Sequence, residues 1–448
     1  MENINRYKKI ALLTLPILMT IIVSNLGVFI DTIFVSRANG EFLSGIAIVR
    51  QPILIIYNIF SAWNVGVAAL ISKSKGEGKN EKATLILKTS LFFSILISLL
   101  ITILSVLNIN TILGFMGENI SKGEYLYASQ YFKIILLGVV SFSIRMTLQT
   151  ALIAVNKNKE VFIANVCGMI IDMFLNYTLI YGKLGFPNIG VKGAALSTVL
   201  GDVIVFMILF YVIYSEKGSF FNIRKIFEFA IDNNIFKDIM AISLPAVFEF
   251  VAIRIGMMVI SKTVISLGTI SIITNQILDN IVSLPFMIAS SFGTVATTIA
   301  GIKLGENKEK EFIKYNKQIC KMAIIVSTIT IIFLSVFGRK IIGIYTQDIE
   351  ILDFVFSILK VYVLIIPLQT VSVVISGVFR GTGKTKVTSM VSIVIFAIIR
   401  PCLIMFFVFK MKLGLHAIWY AIIIDEFIKF ILFISIYNYQ KRKRKFFI

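Results

Sequence analysis

Long apolar runs recur along the whole 448-residue chain, and they limit the possible folds more than any other feature. Apolar residue types make up 57% of the sequence and charged types only 15%, against about 25% charged residues in a typical soluble domain. A soluble domain of this size cannot bury so much apolar surface, whereas a lipid bilayer accommodates it. The sequence therefore predicts an all-α membrane protein.

The number of apolar runs predicts the number of membrane crossings. One helical span of a bilayer needs about 20 apolar residues, and twelve runs meet this length. We expect twelve transmembrane helices in two six-helix bundles. The predicted spans are residues 10–34, 52–71, 83–107, 131–155, 161–181, 193–214, 239–264, 277–299, 322–344, 361–379, 387–409 and 413–436.

A polar stretch between the sixth and seventh runs divides the chain into two parts. We predict an N-terminal six-helix lobe over 1–214 and a cytoplasmic linker over 215–238. A C-terminal six-helix lobe over 239–440 and a basic cytoplasmic tail over 441–448 follow.

The net charge of +20 is unevenly distributed. Such a charge would indicate nucleic-acid binding in a soluble chain, but here Lys and Arg are concentrated in the loops after even-numbered spans and in the tail 441–445. By the positive-inside rule, both termini and the linker are cytoplasmic. We expect a multi-pass protein of the cell (plasma) membrane with no nucleic-acid partner, and the tail is a candidate contact for anionic membrane lipid.

The two halves of the sequence resemble each other. Leu15-Pro16 matches Leu244-Pro245, and Gly76-Glu77 matches Gly305-Glu306, both at an offset of 229 residues. Segments 153–159 and 189–194 align with 380–386 and 413–418 at similar offsets. Six spans per repeat give both repeats the same orientation, an arrangement typical of transporters whose two bundles rock about a site near the midplane. A duplicated bundle would also suit a channel or a scaffold.

Four stretches carry a family resemblance. The first runs from Pro16 to Ser36 and ends in Asp-Thr-Ile-Phe-Val-Ser. The second begins with Ser-Leu-Pro-Ala at 243–246 and ends at Glu249. The others are 189–198 (Ile-Gly-Val-Lys-Gly-Ala-Ala-Leu-Ser-Thr) and 379–385 (Phe-Arg-Gly-Thr-Gly-Lys-Thr). In these the chain resembles the multidrug and toxic compound extrusion (MATE) transporters, over essentially its whole length. The resemblance implies a V-shaped pair of six-helix lobes and efflux of drugs or organic cations driven by inward Na⁺ or H⁺ flow.

Carboxylates inside spans are the candidate functional groups, because an ionisable group there costs roughly 2.5–3.5 kcal/mol on insertion scales. Asp172 and Asn176 are four residues apart and share one helix face. With Asp31 and Thr198 they form the predicted ion-coupling set, and Asp31, Asp172 and Asn176 are possible Na⁺ ligands. The resembling family has a first-span aspartate and a fifth-span Asn-x-x-x-Asp pair, whereas this chain has the reversed order Asp-x-x-x-Asn.

The second half contributes candidates for substrate or proton binding. Glu249 matches a family glutamate of the seventh span, and Gln369 stands where some members have an aspartate. Asp279 and Gln276 in the eighth span are the other candidates. A salt bridge with Arg254 is the alternative for Glu249. For five further charged residues of the spans, we predict interhelical ion pairs: Arg145, Asp202, Arg400, Asp425 and Glu426.

The sequence favours ion-driven transport over enzymatic chemistry. Gly383-Lys384-Thr385 is similar to the end of a phosphate-binding loop, but Val378 stands where that loop needs glycine. Neither a catalytic set for an intramembrane enzyme nor a cofactor motif is present. We expect a monomeric efflux antiporter for small organic cations, coupled to Na⁺ or H⁺.

Two alternatives remain open at this stage. A lipid-linked oligosaccharide or lipid flippase of a related superfamily would bring Arg145, Arg254 and Arg400 together around a pyrophosphate. A non-transporting membrane scaffold is the alternative from a different class.

Overall fold

The fold is known from a computed structural model, which describes residues 2–116, 121–215, 220–222 and 232–446. These residues form helices joined by short connections, and no β-strand occurs among them. Most of the predicted linker, at 216–219 and 223–231, lies outside the described residues, as do the last two residues of the predicted tail.

The first half of the chain contains seven described helices. Their bounds are α1 Glu2–Ala38, α2 Gly40–Gly76, α3 Asn80–Leu107, α4 Ile109–Met116, α5 Lys122–Ala154, α6 Asn158–Tyr181 and α7 Val191–Ser215. The short helix α4 lies on the connection between α3 and α5, so six helices of spanning length remain.

The second half repeats this pattern with more irregular backbone. Its helices are α8 Asn233–Ser266, α9 Thr269–Gly305, α10 Glu309–Tyr345, α11 Ile349–Tyr362, α12 Ile366–Gly381, α13 Thr385–Ser392, α14 Arg400–Met405 and α15 Gly414–Arg442. A 3₁₀ turn, Val363–Ile365, joins α11 to α12. The π-helical segments Ile393–Ile399 and Phe406–Lys410 flank α14, so that each of these series crosses as one span.

Eleven of the described helices, or continuous helical series, are long and apolar enough to cross a membrane. The twelfth, α15, has 29 residues and carries Asp425, Glu426 and Lys429 in its middle. The predicted all-α membrane fold with twelve spanning helices is therefore confirmed. The helices extend beyond the predicted apolar runs because hydropathy marks only the part inside hydrocarbon, while helical hydrogen bonding continues into the polar boundary.

Local sequence explains where several helices begin. The Asn39 side chain accepts a hydrogen bond from the backbone of Glu41 at the start of α2. Ser121 and Glu124 form a reciprocal capping box at the start of α5. Asp348 accepts from two backbone amides of α11. Each cap satisfies amides that would otherwise lack a partner at a helix terminus.

Four helix–helix turns share one geometry and repeat between the halves of the chain. Each has one residue in the left-handed region, Gly78, Asn156, Asn307 or Gly383, with φ of 70°, 63°, 54° and 74°. The next residue is a lysine in all four turns, and its amide donates to the carbonyl five residues earlier at 2.8–3.2 Å. Glycine and asparagine tolerate this backbone best, which explains why these two residue types occupy the position. The predicted internal repeat is thus visible in hydrogen bonding.

The described chain forms two compact units. One contains Met1–Leu18 with Ala241–Ile448, and the other contains Met19–Met240. The helix α1 contributes to both units, because its residues up to Leu18 group with the second half of the chain. The lobe boundaries that we expect from the sequence, at 214 and 239, stay a prediction.

Small residues allow close packing in the Met19–Met240 unit. In this unit α5 packs against α2 and α7, and α6 packs against α7. A Cβ atom added to Gly168 of α6 would lie 2.2 Å from a methyl carbon of Val205 on α7. Close backbone approach of this kind is a general way for helices to associate in membranes, where lipid weakens the hydrophobic drive.

The other unit packs α9 against α12 in the same way. A Cβ atom on Gly377 would lie 2.2 Å from the carbonyl oxygen of Gly293, and one on Gly381 would lie 2.1 Å from that of Thr297. Thr297 Oγ1 donates to the carbonyl oxygen of Gly377 at 3.0 Å. The two backbones are therefore in direct contact.

We predict that Gly377→Ala destabilises the protein by about 1–3 kcal/mol, because the added methyl group meets backbone atoms that cannot move aside. Thermal unfolding in detergent should show a lower midpoint than wild type. The matched control is Gly343→Ala in α10, where the nearest atom would be 3.9 Å away and no loss is expected. Equal midpoints for both variants would contradict the packing argument.

Candidate functional site

Carboxylates inside the spanning helices fall into two groups. Each carboxylate of the first group has a cationic partner. For example, Asp202 Oδ1 of α7 lies 2.8 Å from Arg145 Nε of α5. The second group, Asp31, Asp172 and Asp279, has no Lys or Arg ion-pair partner among the residues that the structure describes. A charge away from water is costly unless paired, so the second group needs a separate explanation.

Asp31 and Asp172 of the Met19–Met240 unit meet at one amide group. Asn176 Nδ2 donates to Asp31 Oδ1 at 2.7 Å and to Asp172 Oδ1 at 3.3 Å. Asn176 is fully buried, Asp172 is buried and Asp31 is half-buried. The structure therefore brings together Asp31 of α1 and the Asp172–Asn176 pair of α6.

Of the neighbouring hydroxyl groups of Ser197 and Thr198 on α7, that of Ser197 contacts this cluster directly. Ser197 Oγ donates to Asn176 Oδ1 at 2.9 Å and fixes the orientation of the amide. Thr198 Oγ1 donates to the carbonyl oxygen of Ala194 on its own helix at 3.1 Å, and it is also within hydrogen-bonding reach of the Tyr131 hydroxyl of α5. Sequence reasoning did not select Ser197 or Tyr131, and only the position of Ser197 next to Thr198 hinted at its role.

The chemistry of this cluster is that of a cation or proton site. Two carboxylates that accept from the same NH₂ group repel each other when both are ionised. A proton shared between them, or a hard cation bound by carboxylate, amide and hydroxyl oxygens, relieves that repulsion. Asn176 donates to one oxygen of each carboxylate.

Glu249 in the other unit is held by two partners. It is buried, its Oε1 lies 2.5 Å from Arg380 Nη2, and its Oε2 accepts from Thr388 Oγ1 at 2.8 Å. Arg380 belongs to the Arg-Gly-Thr-Gly-Lys-Thr stretch that the sequence analysis singled out. The ion pair of Glu249 is therefore with Arg380, which lies 131 residues further along the chain and was not considered as its partner.

Asp279 and Gln276 lie on the surface of their unit. Asp279 Oδ2 accepts from Asn275 Nδ2 at 2.8 Å, and Gln276 Nε2 lies 3.4 Å from Asn280 Oδ1. Both Asp279 and Gln276 are exposed. These four polar side chains line the same turn and a half of α9.

The remaining charged residues of the spans form structural pairs. Arg400 Nε lies 2.5 Å and its Nη2 lies 3.0 Å from the two carboxylate oxygens of Asp425. Lys429 Nζ lies 2.5 Å from Glu426 Oε1. The ring of Phe396 lies 4.5 Å from the Arg400 guanidinium. The prediction of interhelical ion pairs is confirmed for Arg145–Asp202 and Arg400–Asp425. Glu426 also lies 4.0 Å from Arg400 Nη2 on the neighbouring helix, in addition to its closer pair with Lys429 on its own helix.

Comparison with known proteins places the chain in a family. The model of the MatE family matches residues 16–178 and 245–405, one match in each half of the chain. A curated relative, the probable multidrug resistance protein NorM of Thermotoga maritima, is 25% identical over 93% of this chain and 89% of its own. The probable multidrug resistance protein NorM of Bacillus subtilis is 24% identical over 86% of this chain and 84% of its own.

Solved structures share the fold. A crystal structure of MATE in the bent conformation superposes with a TM-score of 0.89 at 20% identity, covering 99% of this chain and 98% of that one. The outward-facing conformation of a multidrug resistance MATE family transporter of the MOP superfamily gives 0.89 at 21% identity, over 98% and 97%. With matches to both repeats and an agreeing fold, the chain belongs to the MatE family.

Proposed function

We propose that this protein is a secondary multidrug efflux antiporter that exports small organic cations in exchange for Na⁺ or H⁺. The names of its relatives support multidrug efflux, and family membership makes it a membrane transporter and not an enzyme. The observation that carries the coupling proposal is the pair of buried Asp172 and half-buried Asp31, two carboxylates on different helices that share one amide donor.

In the proposed mechanism, binding of the ion and binding of the drug exclude each other. A proton or Na⁺ enters at Asp31 and Asp172 while the site is open to the outside, with Asn176 and Thr198 as further oxygen ligands. Neutralisation removes the repulsion between the carboxylates, and α1 then repacks and expels the drug. Release of the ion to the inside then exposes the acidic cleft to the next cationic substrate.

The position of Asp31 on α1 supports this mechanism. Pro16 interrupts the hydrogen bonding of the same helix, and a helix bends most easily at such a position. Asp31 lies fifteen residues further on and is held across to α6 by Asn176. A change in charge at Asp31 therefore acts on a helix that is already predisposed to bend.

For substrate binding we propose Asp279 as the acidic group that faces a cationic drug, with Gln276 beside it. Asp279 has no cationic partner among the described side chains and is exposed, so it is free to meet a charged ligand. Glu249 is our second candidate for a proton or a drug. It would first have to release Arg380, because the two groups now form an ion pair.

The basic loops support a cytoplasmic position for both termini, and we propose the plasma membrane as the location and a monomer as the functional form.

The flippase alternative depends on three arginines, of which Arg145 and Arg400 are already neutralised within their own units by Asp202 and Asp425. A pyrophosphate would have to displace those carboxylates. The pairing therefore favours the antiporter.

The coupling proposal predicts that an imposed ion gradient drives efflux by the purified protein. Liposomes containing the wild-type chain should move ethidium or norfloxacin against its gradient when a Na⁺ or a proton gradient is imposed, and collapse of that gradient by an ionophore should stop the movement. Transport that proceeds unchanged without either gradient would overturn the antiport assignment.

We predict that Asp31→Asn abolishes ion-driven efflux and leaves the protein folded in the membrane. The variant keeps the shape of the side chain and its acceptor for Asn176 but loses the charge that binds the ion. The matched control is Asp353→Asn, at an exposed carboxylate paired with Arg339, where transport should stay at the wild-type level. Undiminished dye efflux by Asp31→Asn would disprove the assignment.

Substitution of Asp279 should affect substrate affinity more than coupling. Loss of one partly screened charge contact is worth about 1 kcal/mol, or roughly a fivefold change in affinity. Asp279→Asn should therefore raise the half-saturating concentration of a cationic dye by about fivefold, while the maximal rate and the transport of an uncharged substrate stay near wild type. An unchanged concentration dependence would exclude Asp279 from the drug site.

A further inference from the structure

The end of the chain is a folded turn anchored by an aromatic side chain. After α15, the backbone reverses with Arg444 in the left-handed region at φ 51°, and the amide of Lys445 donates to the carbonyl of Gln440 at 2.9 Å. Phe446 is only 5% exposed. Its ring lies 5.2, 5.8 and 5.5 Å from the rings of Phe312, Phe379 and Tyr437, measured between centroids.

Lys384 ties the same turn to the connection between α12 and α13. Its ammonium group donates to the backbone carbonyl of Lys445 and lies 5.3 Å from the centre of the Phe446 ring. Burial, together with the charge of Lys445, lowers the pKa of Lys384. The turn is therefore held in place although it carries charges that repel one another.

This anchored turn displays five consecutive basic side chains, residues 441–445, all of them exposed. Within the described part of the chain, their one ion pair is a distant contact of 3.8 Å between Arg444 and Glu309. Lys443 and Lys445 both lie over the ring of Tyr439, at 5.1 and 5.4 Å. So many fixed cations with one acidic neighbour create a strongly positive surface that favours an anionic partner.

The position of the turn identifies that partner as lipid. The helix α15 has 29 residues, or roughly 43 Å of length, against a hydrocarbon thickness of about 30 Å. Its last turns therefore pass through the headgroup layer, where tyrosines such as Tyr437 and Tyr439 are typically found. A basic cluster directly after a spanning helix lies at the depth of the lipid phosphates.

We propose that the anchored turn 441–446, together with Lys384, is a docking site for the headgroups of anionic phospholipids. Phe446 and Lys384 hold the backbone, and the five basic side chains supply the charge. Because the turn is folded in advance, the cations stay together at the membrane surface. This docking site is independent of the transport proposal.

Lipid selectivity of the full-length protein tests this inference. The protein is reconstituted in phosphatidylcholine bilayers that contain spin-labelled phosphatidylglycerol or spin-labelled phosphatidylcholine, and the motionally restricted lipid fraction is measured. We expect the wild type to prefer phosphatidylglycerol. The variant K441Q/R442Q/K443Q/K445Q should lose about tenfold in that preference at low salt, since each juxtamembrane cation attracts anionic lipid. Phe446→Ala keeps all charges, frees the turn and should lose an intermediate amount.

A second quadruple variant controls for net charge. K73Q/K79Q/K82Q/K159Q removes four exposed cations, at the ends of α2, α3 and α6 and on the turn between α2 and α3, and should keep the wild-type preference. Inorganic phosphate, added at constant ionic strength, should not compete. An equal loss in both quadruple variants would overturn the site, and so would an unchanged preference in the tail variant. Competition by free phosphate would assign the cluster to a soluble anion and not to lipid.

Discussion

The cost of placing charge away from water determines how the charged side chains of the spanning helices are paired. Each spanning helix that carries a carboxylate must either supply a counter-charge or accept one from outside the chain. Asp202, Glu249, Asp425 and Glu426 all have an arginine or lysine partner within 2.5–2.8 Å. Asp31 and Asp172 share a neutral amide donor instead, and among the described residues neither forms an ion pair with Lys or Arg. Asp279 also lacks a cationic partner among the described residues, but it is exposed. Among the carboxylates that are buried or half-buried, the contrast therefore singles out the Asp31–Asp172 pair.

Because the two halves of the chain are repeats of each other, the pairing of their buried carboxylates can be compared. Their helices share order, turn geometry and close glycine packing, so the backbone has kept its duplication. Their buried charges do not follow it. The unit Met19–Met240 holds the unneutralised pair, whereas the buried acids of the other unit, Glu249, Asp425 and Glu426, are all engaged in ion pairs. Two similar scaffolds thus carry different electrostatics.

The sequence predicted the helices well because their signal is local. Apolar runs of fixed length depend only on neighbouring residues, and the all-α membrane fold was predictable from them. Asp172 and Asn176 share a helix face by spacing alone, but the approach of Asp31 depends on the packing of α1 against α6, which no local pattern encodes. The pairing of Glu249 with Arg380 was missed for the same reason, since the nearer Arg254 was the natural candidate along the sequence. Ser197 escaped notice because a serine in an apolar helix is ordinary until its neighbour across the interface is known. Exposure of Asp279 and burial of Glu249 likewise emerge only from the folded chain.

The four lysine-bearing turns have a consequence for modular construction. Because Gly78, Asn156, Asn307 and Gly383 adopt the same left-handed backbone and are each followed by the same amide hydrogen bond, each turn ends one helix and starts the next in an equivalent way. Helices joined at any of these four points therefore follow the same turn geometry. A chimera that exchanges a helix pair between the two halves would keep its junctions intact, and any failure would then come from side chains meeting inside the membrane.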